Sequence, residues 1–253
     1  MAHASTTGGT PSTPGARSAR PPECGSEPEG REIRRRRSRL SRGIRLPCEM
    51  RRLLRLDASG QGPQSHSRRL ASHYEQLWRE RNPQGAVVTR DLVQDPVPHL
   101  DAATVAVFYA GDEPEIEPVP AGVAMSDQLV AELEEADDIL VSSALYNFAM
   151  PSALKAWVDH IVRLGRTVAY GINGPQGLLC GKRVTLITAR GGTADSSPDF
   201  QRPTLRAVFA YIGVTDIQTV HLEGTKTPDG ALEARVEKAR DDVDSLFHGG
   251  DPR

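Results

Sequence analysis

Cysteine is scarce in this sequence, and so are aromatic side chains. The three cysteines among 253 residues, Cys24, Cys48 and Cys180, are odd in number. They follow neither a disulfide framework nor a metal-ligand spacing, so no disulfide scaffold and no metal site is expected, and a reducing, cytoplasmic setting is the default. Aromatics make up 5% of the chain, so a cluster of them outside a core pattern stands out. No apolar run is long enough to span a bilayer, which excludes a membrane-spanning helix. A formal charge of −2 gives no overall case for nucleic acid as a partner. With 38% hydrophobic residues, the chain suits one α/β domain plus some sequence that joins no core.

That extra sequence is residues 1–49. Gly, Pro, Ser, Thr and Arg dominate it, and Arg34-Arg35-Arg36-Arg37 forms a basic run. Such a segment buries too little apolar surface to offset its ordering entropy, so it is expected to be a disordered extension. The basic run alone would also suit an arm for nucleic acid or an anionic membrane, or an organelle transit peptide, although Glu23, Glu27, Glu29 and Glu32 count against the last. It has no apolar centre of the kind a secretory signal needs. The folded domain is expected to span residues 50–253, beginning at Met50.

From there the sequence alternates short apolar runs with helical periodicity. Leu53-Leu54-Arg55-Leu56, Ala86-Val87-Val88-Thr89, Ile139-Leu140-Val141, Val184-Thr185-Leu186-Ile187-Thr188 and Ile217-Gln218-Thr219-Val220 read as five strands. Helices are marked by Leu70, Tyr74, Leu77 and Trp78; by Leu129, Val130 and Leu133; by Leu154, Trp157, Val158, Ile161 and Val162; by Leu205, Val208, Phe209 and Ile212; and by Leu232, Val236, Ala239, Val243 and Leu246. Pro151 suits the first turn of the third of these and Gly165 its stop. The acidic stretch Asp112 to Pro118 is expected to be a solvated loop, and Gly171 to Gly177 another loop. This order argues an α/β fold: a flavodoxin-like, three-layer, doubly wound parallel sheet of five strands in the order 2-1-3-4-5.

Three strand ends carry loops with chemistry. After the first strand, Asp57 to Ser67 is rich in small and hydroxyl residues and opens onto a helix N-terminus. Free N–H groups and the positive end of the helix dipole make this an anion cradle, with Ser59, Ser65 and Ser67 as donors. Alternatively Ser65 or Ser67 simply caps the helix. The loop matches neither the dinucleotide fingerprint nor a Walker loop. After the third strand, Leu145-Tyr146-Asn147-Phe148 presents two aromatics and an amide. They either cover a flat heteroaromatic ring or pack the loop down. After the fourth strand, Ala189-Arg190-Gly191-Gly192 either lets a ligand approach the backbone or makes a turn with positive φ. In the order 2-1-3-4-5 these three ends are neighbours at the switch point, and an anion cradle beside a flat-ring site describes a mononucleotide.

The same residues carry a resemblance. Ser59 through Ser67, Leu145 to Phe148 with Pro151, Leu154-Lys155-Ala156-Trp157 with Asp159, Asn173-Gly174-Pro175, Gly177-Leu178, Arg190-Gly191-Gly192 and Tyr211-Ile212-Gly213 resemble the FMN-dependent NADH-azoreductase and quinone reductase family. The resemblance runs from about Met50 to Phe247. It implies a flavodoxin-like homodimer with one non-covalent FMN per chain, sites at the dimer interface, and NADH or NADPH as co-substrate. It assigns Ser59, Ser65, His66 and Ser67 to the phosphate end, with Leu145 to Phe148 and Ala189 to Gly192 around the isoalloxazine. Ala144-Leu145 stands where the family usually has Pro-Met, and Ala189 and His66 stand where it usually has Ser and Gln; these departures bear on acceptor preference and flavin potential. Electrons would pass from NAD(P)H to quinones and aromatic azo compounds by a ping-pong scheme, with the flavin rather than any protein acid or base carrying the chemistry. A flavodoxin-type electron carrier is the alternative, but such carriers usually have a Thr-rich phosphate loop and a strongly acidic surface, which this chain lacks. A flavin-less module with the basic arm binding nucleic acid is a third reading.

Overall fold

The structure, a computed structural model, describes residues 50–110 and 118–248. The extension 1–49 and nearly all of the acidic stretch Asp112 to Pro118 therefore lie outside the described residues. The main sheet has β1 (Arg52–Asp57), β2 (Ala86–Asp91), β3 (Asp138–Ala144), β6 (Arg183–Ala189) and β7 (Asp216–Leu222), ordered β2-β1-β3-β6-β7. Every pairing is parallel, with Leu53 opposite Val87, Leu54 opposite Ile139, Val141 opposite Leu186 and Ile187 opposite Val220. Counted within this sheet, that is the expected order 2-1-3-4-5.

Helices cover both faces because the central strands are apolar on both faces. Leu53, Leu140, Ile187 and Val220 point to one side and pack on Leu70, Tyr74 and Trp78 of α1 (His66–Arg81) and on Ala239 and Val243 of α6 (Leu232–His248). Leu54, Leu56, Ile139, Val141, Val184 and Leu186 point to the other. There they meet Leu129 and Leu133 of α3 (Ala121–Glu135), Leu154, Trp157 and Ile161 of α4 (Ser152–Ile161), and Leu205 and Phe209 of α5 (Gln201–Tyr211). The alternation along each strand thus feeds two cores, one per face.

Several expectations need correction. Gly171 to Gly177 is not a loop: β4 (Val168–Gly171) and β5 (Gly174–Gly177) form an antiparallel hairpin between α4 and β6. A Cβ on Gly177 would come within 2.1 Å of the Gly213 nitrogen, so the hairpin seats on the end of α5 only because both positions lack side chains. A further helix, α2 (Ala102–Tyr109), begins at Asp101, whose side chain accepts from the Thr104 amide at 2.7 Å. Pro151 is the N-cap of α4 rather than a first-turn residue, and that helix stops at Ile161, before Gly165. Among the described residues no helix is long and apolar enough to cross a membrane.

Candidate functional site

Four loops at the carboxyl edge of the sheet are bonded to one another in turn. The Gly60 amide, after β1, donates to the Tyr146 hydroxyl, after β3, at 3.1 Å. The Leu145 amide donates to the Ala189 carbonyl at the end of β6 at 2.8 Å. The Thr225 and Lys226 amides, after β7, donate to the Arg190 and Gly191 carbonyls at 3.1 and 3.0 Å. Between the loops lies a solvent-open cleft with an empty volume of about 490 Å³. Such a crevice is where open α/β sheets bind ligands.

Of the candidates drawn from the sequence, Ser59, Ser65, His66, Leu145, Tyr146, Ala189, Arg190 and Gly191 line this cleft. Ser67 lies just beneath it, fully buried, its Oγ 3.1 Å from that of Ser65. Asn147 and Phe148 form the exposed tip of the aromatic loop. Gly192 sits behind, its carbonyl accepting from the Gly224 amide at 2.8 Å.

The phosphate-type end is built from the start of α1. Ser65 is its N-cap and accepts from the Arg68 amide at 3.4 Å, so the capping reading of the sequence is realised. The His66 and Ser67 amides have no backbone acceptor outside the helix among the described residues. No acidic residue stands in the first turn to quench the positive dipole end. His66 Nδ1 lies 3.0 Å from Arg69 Nη2. Burial, and then the Arg69 charge, hold its imidazole pKa below the ordinary histidine value.

Arg68 clamps this loop from behind. Its Nε and Nη2 donate to the Ser59 carbonyl at 3.1 and 2.8 Å, while Nη1 and Nη2 grip Asp91 at 2.5 and 2.8 Å. The Arg68 hydrogen bond holds the Asp91 carboxyl down at about 2. Sequence reasoning missed this arginine because its partner Asp91 sits at the end of a different strand.

At the other end, Tyr146 and Ala149 exchange two backbone hydrogen bonds of 3.0 Å around Asn147 and Phe148, which have φ of 47° and 69°. Both central residues are left-handed, as in a type I′ turn. Asparagine tolerates that conformation; for phenylalanine it is strained. The turn is held in place where the Phe200 amide donates to the Phe148 carbonyl at 2.9 Å. By contrast neither Gly191 nor Gly192 has positive φ, which disposes of the turn alternative for that pair. A Cβ on Gly192 would approach Ser196 Oγ to 2.5 Å, so packing against the neighbouring loop explains that glycine.

Arg190 is buried, its Nη1 donating to the Ser197 carbonyl at 3.0 Å and its Nε 3.6 Å from Glu223. That separation is an ion pair but too long for a hydrogen bond, and among the described residues Nε and Nη2 have no hydrogen-bond partner. Glu223 also lies 3.0 Å from His221 Nε2, and burial pushes the His221 imidazole pKa down. Gln61, Ala144, Thr225 and Lys226 complete the lining. Thr225 and Lys226 could have been suspected only because they follow the fifth sheet strand on the same edge.

The family of flavodoxin-like fold matches residues 51–246. The FMN-dependent NADH:quinone oxidoreductase of Azotobacter vinelandii is 42% identical over 176 residues, 69% of this chain and 88% of that one. FMN-dependent NADH:quinone oxidoreductase 2 of Pseudomonas putida is 40% identical over 192 residues, 76% of this chain and 96% of that one. The chain belongs to the flavodoxin-like FMN-dependent NADH:quinone oxidoreductase family. Among solved structures, an azoreductase from Bacillus anthracis superposes with a TM-score of 0.72 at 24% identity, covering 78% of this chain and 98% of that one. An FMN-dependent NADH-azoreductase from the same species, in complex with FMN, gives 0.68 at 23% identity, covering 78% and 99%. These two likenesses speak to the fold.

Proposed function

We propose that this chain is an FMN-dependent enzyme that passes electrons from NADH or NADPH to quinones and aromatic azo compounds by a ping-pong scheme. The observation that carries the reading is the convergence of a helix-start anion cradle and an aromatic loop on one cleft. The donor set suits FMN. Ser59, Ser65, the Ser67 hydroxyl beneath it, His66 and the free first-turn amides of α1 would hold the phosphate. Leu145, Tyr146, Asn147 and Phe148 on one side and Ala189, Arg190, Gly191 and Gly192 on the other would hold the ring. The names of the relatives from Azotobacter and Pseudomonas support both cofactor and acceptor class.

When bound, FMN supplies the hydride and electron chemistry. The protein's part is to anchor one end, present a flat slot and exclude water. The Asn147 and Gly191 amides have no acceptor among the described residues and are available to negative charge on the ring edge. No side chain is assigned as acid or base.

The resemblance to the family further implies a homodimer, and the exposed apolar residues support it. Tyr170 and Ile172 on the hairpin are 68% and 101% exposed, and Phe148 and Phe200 also face solvent. Tyr170 and Tyr211 hydroxyls meet at 3.3 Å, linking the hairpin to α5. Covering such residues with a second copy would offset their exposure and add aromatic walls to the open side of the cleft. A cytoplasmic location fits the use of reduced nicotinamide. Residues 50–253 would form the FMN domain and 1–49 a dispensable extension.

The test is anaerobic reduction followed by steady-state kinetics. NADH or NADPH should bleach the bound flavin, a quinone should restore its colour, and double-reciprocal plots should be parallel because reductant and acceptor share one open ring face. Intersecting lines would mean a ternary complex. Failure of both nicotinamides to bleach a flavin-loaded chain would favour the electron carrier, and a folded chain that takes up no FMN would overturn the reading.

A further inference from the structure

We propose that Lys226 tunes the bound flavin, supplying the positive charge that favours its reduced, anionic form; this rests on the FMN reading above. Sheet geometry fixes where Lys226 stands. The cradle follows β1, the aromatic loop β3, Arg190-Gly191 follow β6, and Lys226 follows β7. From β1 to β7 is three strand spacings, roughly 14 Å at about 4.8 Å each. A mononucleotide with its phosphate at α1 and its ring between the next two loops therefore points the ring's far edge at the β7 loop.

Three observations hold Lys226 to that edge. Its amide donates to the Gly191 carbonyl at 3.0 Å. Its aliphatic stem lies over Gly191, where a Cβ would come within 3.3 Å of the lysine Cδ. Lys226 lines the cleft and is exposed to solvent on its rim.

The charges around it leave Lys226 as the uncompensated one. Arg190, the other cation at this end, is neutralised by Glu223 and directed to the Ser197 carbonyl. His221 is buried, with its pKa lowered, and faces Glu223 and Thr188 rather than the cleft. Asp199 is paired with Arg202 at 2.6 Å. Among the described residues no carboxylate is bonded to the Lys226 ammonium. A lone ammonium beside a ring that gains two electrons and one proton on hydride transfer interacts more strongly with the reduced state than with the oxidised one. That differential raises the reduction potential, and charge near the ring is one of the ways a protein tunes a flavin.

The experiment compares the wild-type chain with Lys226→Met and Lys226→Arg, each loaded with FMN. The two-electron midpoint potential is measured against a reference dye, and FMN affinity is measured for oxidised and for anaerobically reduced cofactor. Lys226→Met should bind reduced FMN at least about tenfold more weakly relative to oxidised FMN, which for a two-electron couple is a potential lower by about 30 mV. Lys226→Arg should restore most of it. An unchanged potential in FMN-loaded Lys226→Met, or an equal loss of affinity for both redox states, would overturn the proposal. A wild-type chain that takes up no FMN would instead overturn the underlying assignment, and this role with it.

Discussion

Replacing Arg68 by methionine keeps the apolar length of the side chain and removes four hydrogen bonds at once. Two grip Asp91 at 2.5 and 2.8 Å and two hold the Ser59 carbonyl at 3.1 and 2.8 Å. A hydrogen bond to a charged group contributes about 1.5–3 kcal/mol. Asp91 would not be stranded, because it also accepts from the Val93 and Gln94 amides and is partly open to water. The 3–5 kcal/mol lost on breaking a fully buried pair is therefore too much, and about 2–3 kcal/mol of destabilisation is expected. Urea unfolding of Arg68→Met, Asp91→Asn and the double variant would measure the coupling, expected at about 1–2 kcal/mol. The pH arm has a definite sign. Arg68 holds the folded-state Asp91 carboxyl at about 2, below the ~3.9 of an unfolded aspartate. The pair therefore contributes fully above pH ~4 and loses its contribution as pH falls through about 2. The stability gap between wild type and Arg68→Met should narrow over that interval. A coupling below about 0.5 kcal/mol, or a gap that widens with acid, would refute the clamp. The released Ser59 loop should also weaken FMN uptake in the same variant.

Three other outcomes are expected. Ser65→Ala with Ser67→Ala should weaken FMN by about 1.5–3 kcal/mol for each phosphate bond lost, while leaving riboflavin affinity nearly unchanged in the same fluorescence titration. Phe148→Gly removes left-handed strain of about 1–2 kcal/mol against a chain-entropy penalty of about 0.5–1 kcal/mol, so thermal stability should hold or rise slightly while the KM for quinone increases. A clear fall in Tm would show that the Phe148 ring packs rather than waits. Removal of residues 1–49 should leave flavin content and melting temperature unchanged, because that stretch has no core-forming pattern.

What could be read from the residues alone follows from how local each signal is. Leu53 to Leu56, Ile139 to Val141 and Val184 to Thr188 declare their strands because a centrally buried strand must be apolar on both faces. Val168–Gly171 and Gly174–Gly177 do not, because these four-residue, glycine-containing strands pair in a sheet only with each other. The helix Ala102–Tyr109 shows no polar face, so periodicity cannot find it. At the site, Ser65, Tyr146 and Arg190 were visible because each sits in a conspicuous loop. Arg68 and Lys226 were not, since each acquires its role from a partner on another strand: Asp91, 23 residues on, for the first, and the Gly191 loop for the second.

The Ser65–Ser67 pair shows why capping and anion binding are not rival readings at this helix. A serine hydroxyl has one hydrogen and two lone pairs. Ser65 Oγ accepts from the Arg68 amide at 3.4 Å and stands 3.1 Å from the Ser67 hydroxyl. With Ser67 donating, both lone pairs of Ser65 are engaged from the protein side, and its own hydrogen is free for a ligand in the cleft that Ser65 lines. Capping then orients the donor instead of consuming it. Ser67, fully buried beneath the cleft, would act on a phosphate through Ser65. Its removal alone should cost affinity for FMN even though it lines no part of the cleft, and should cost none for riboflavin, which a purely structural serine would not distinguish.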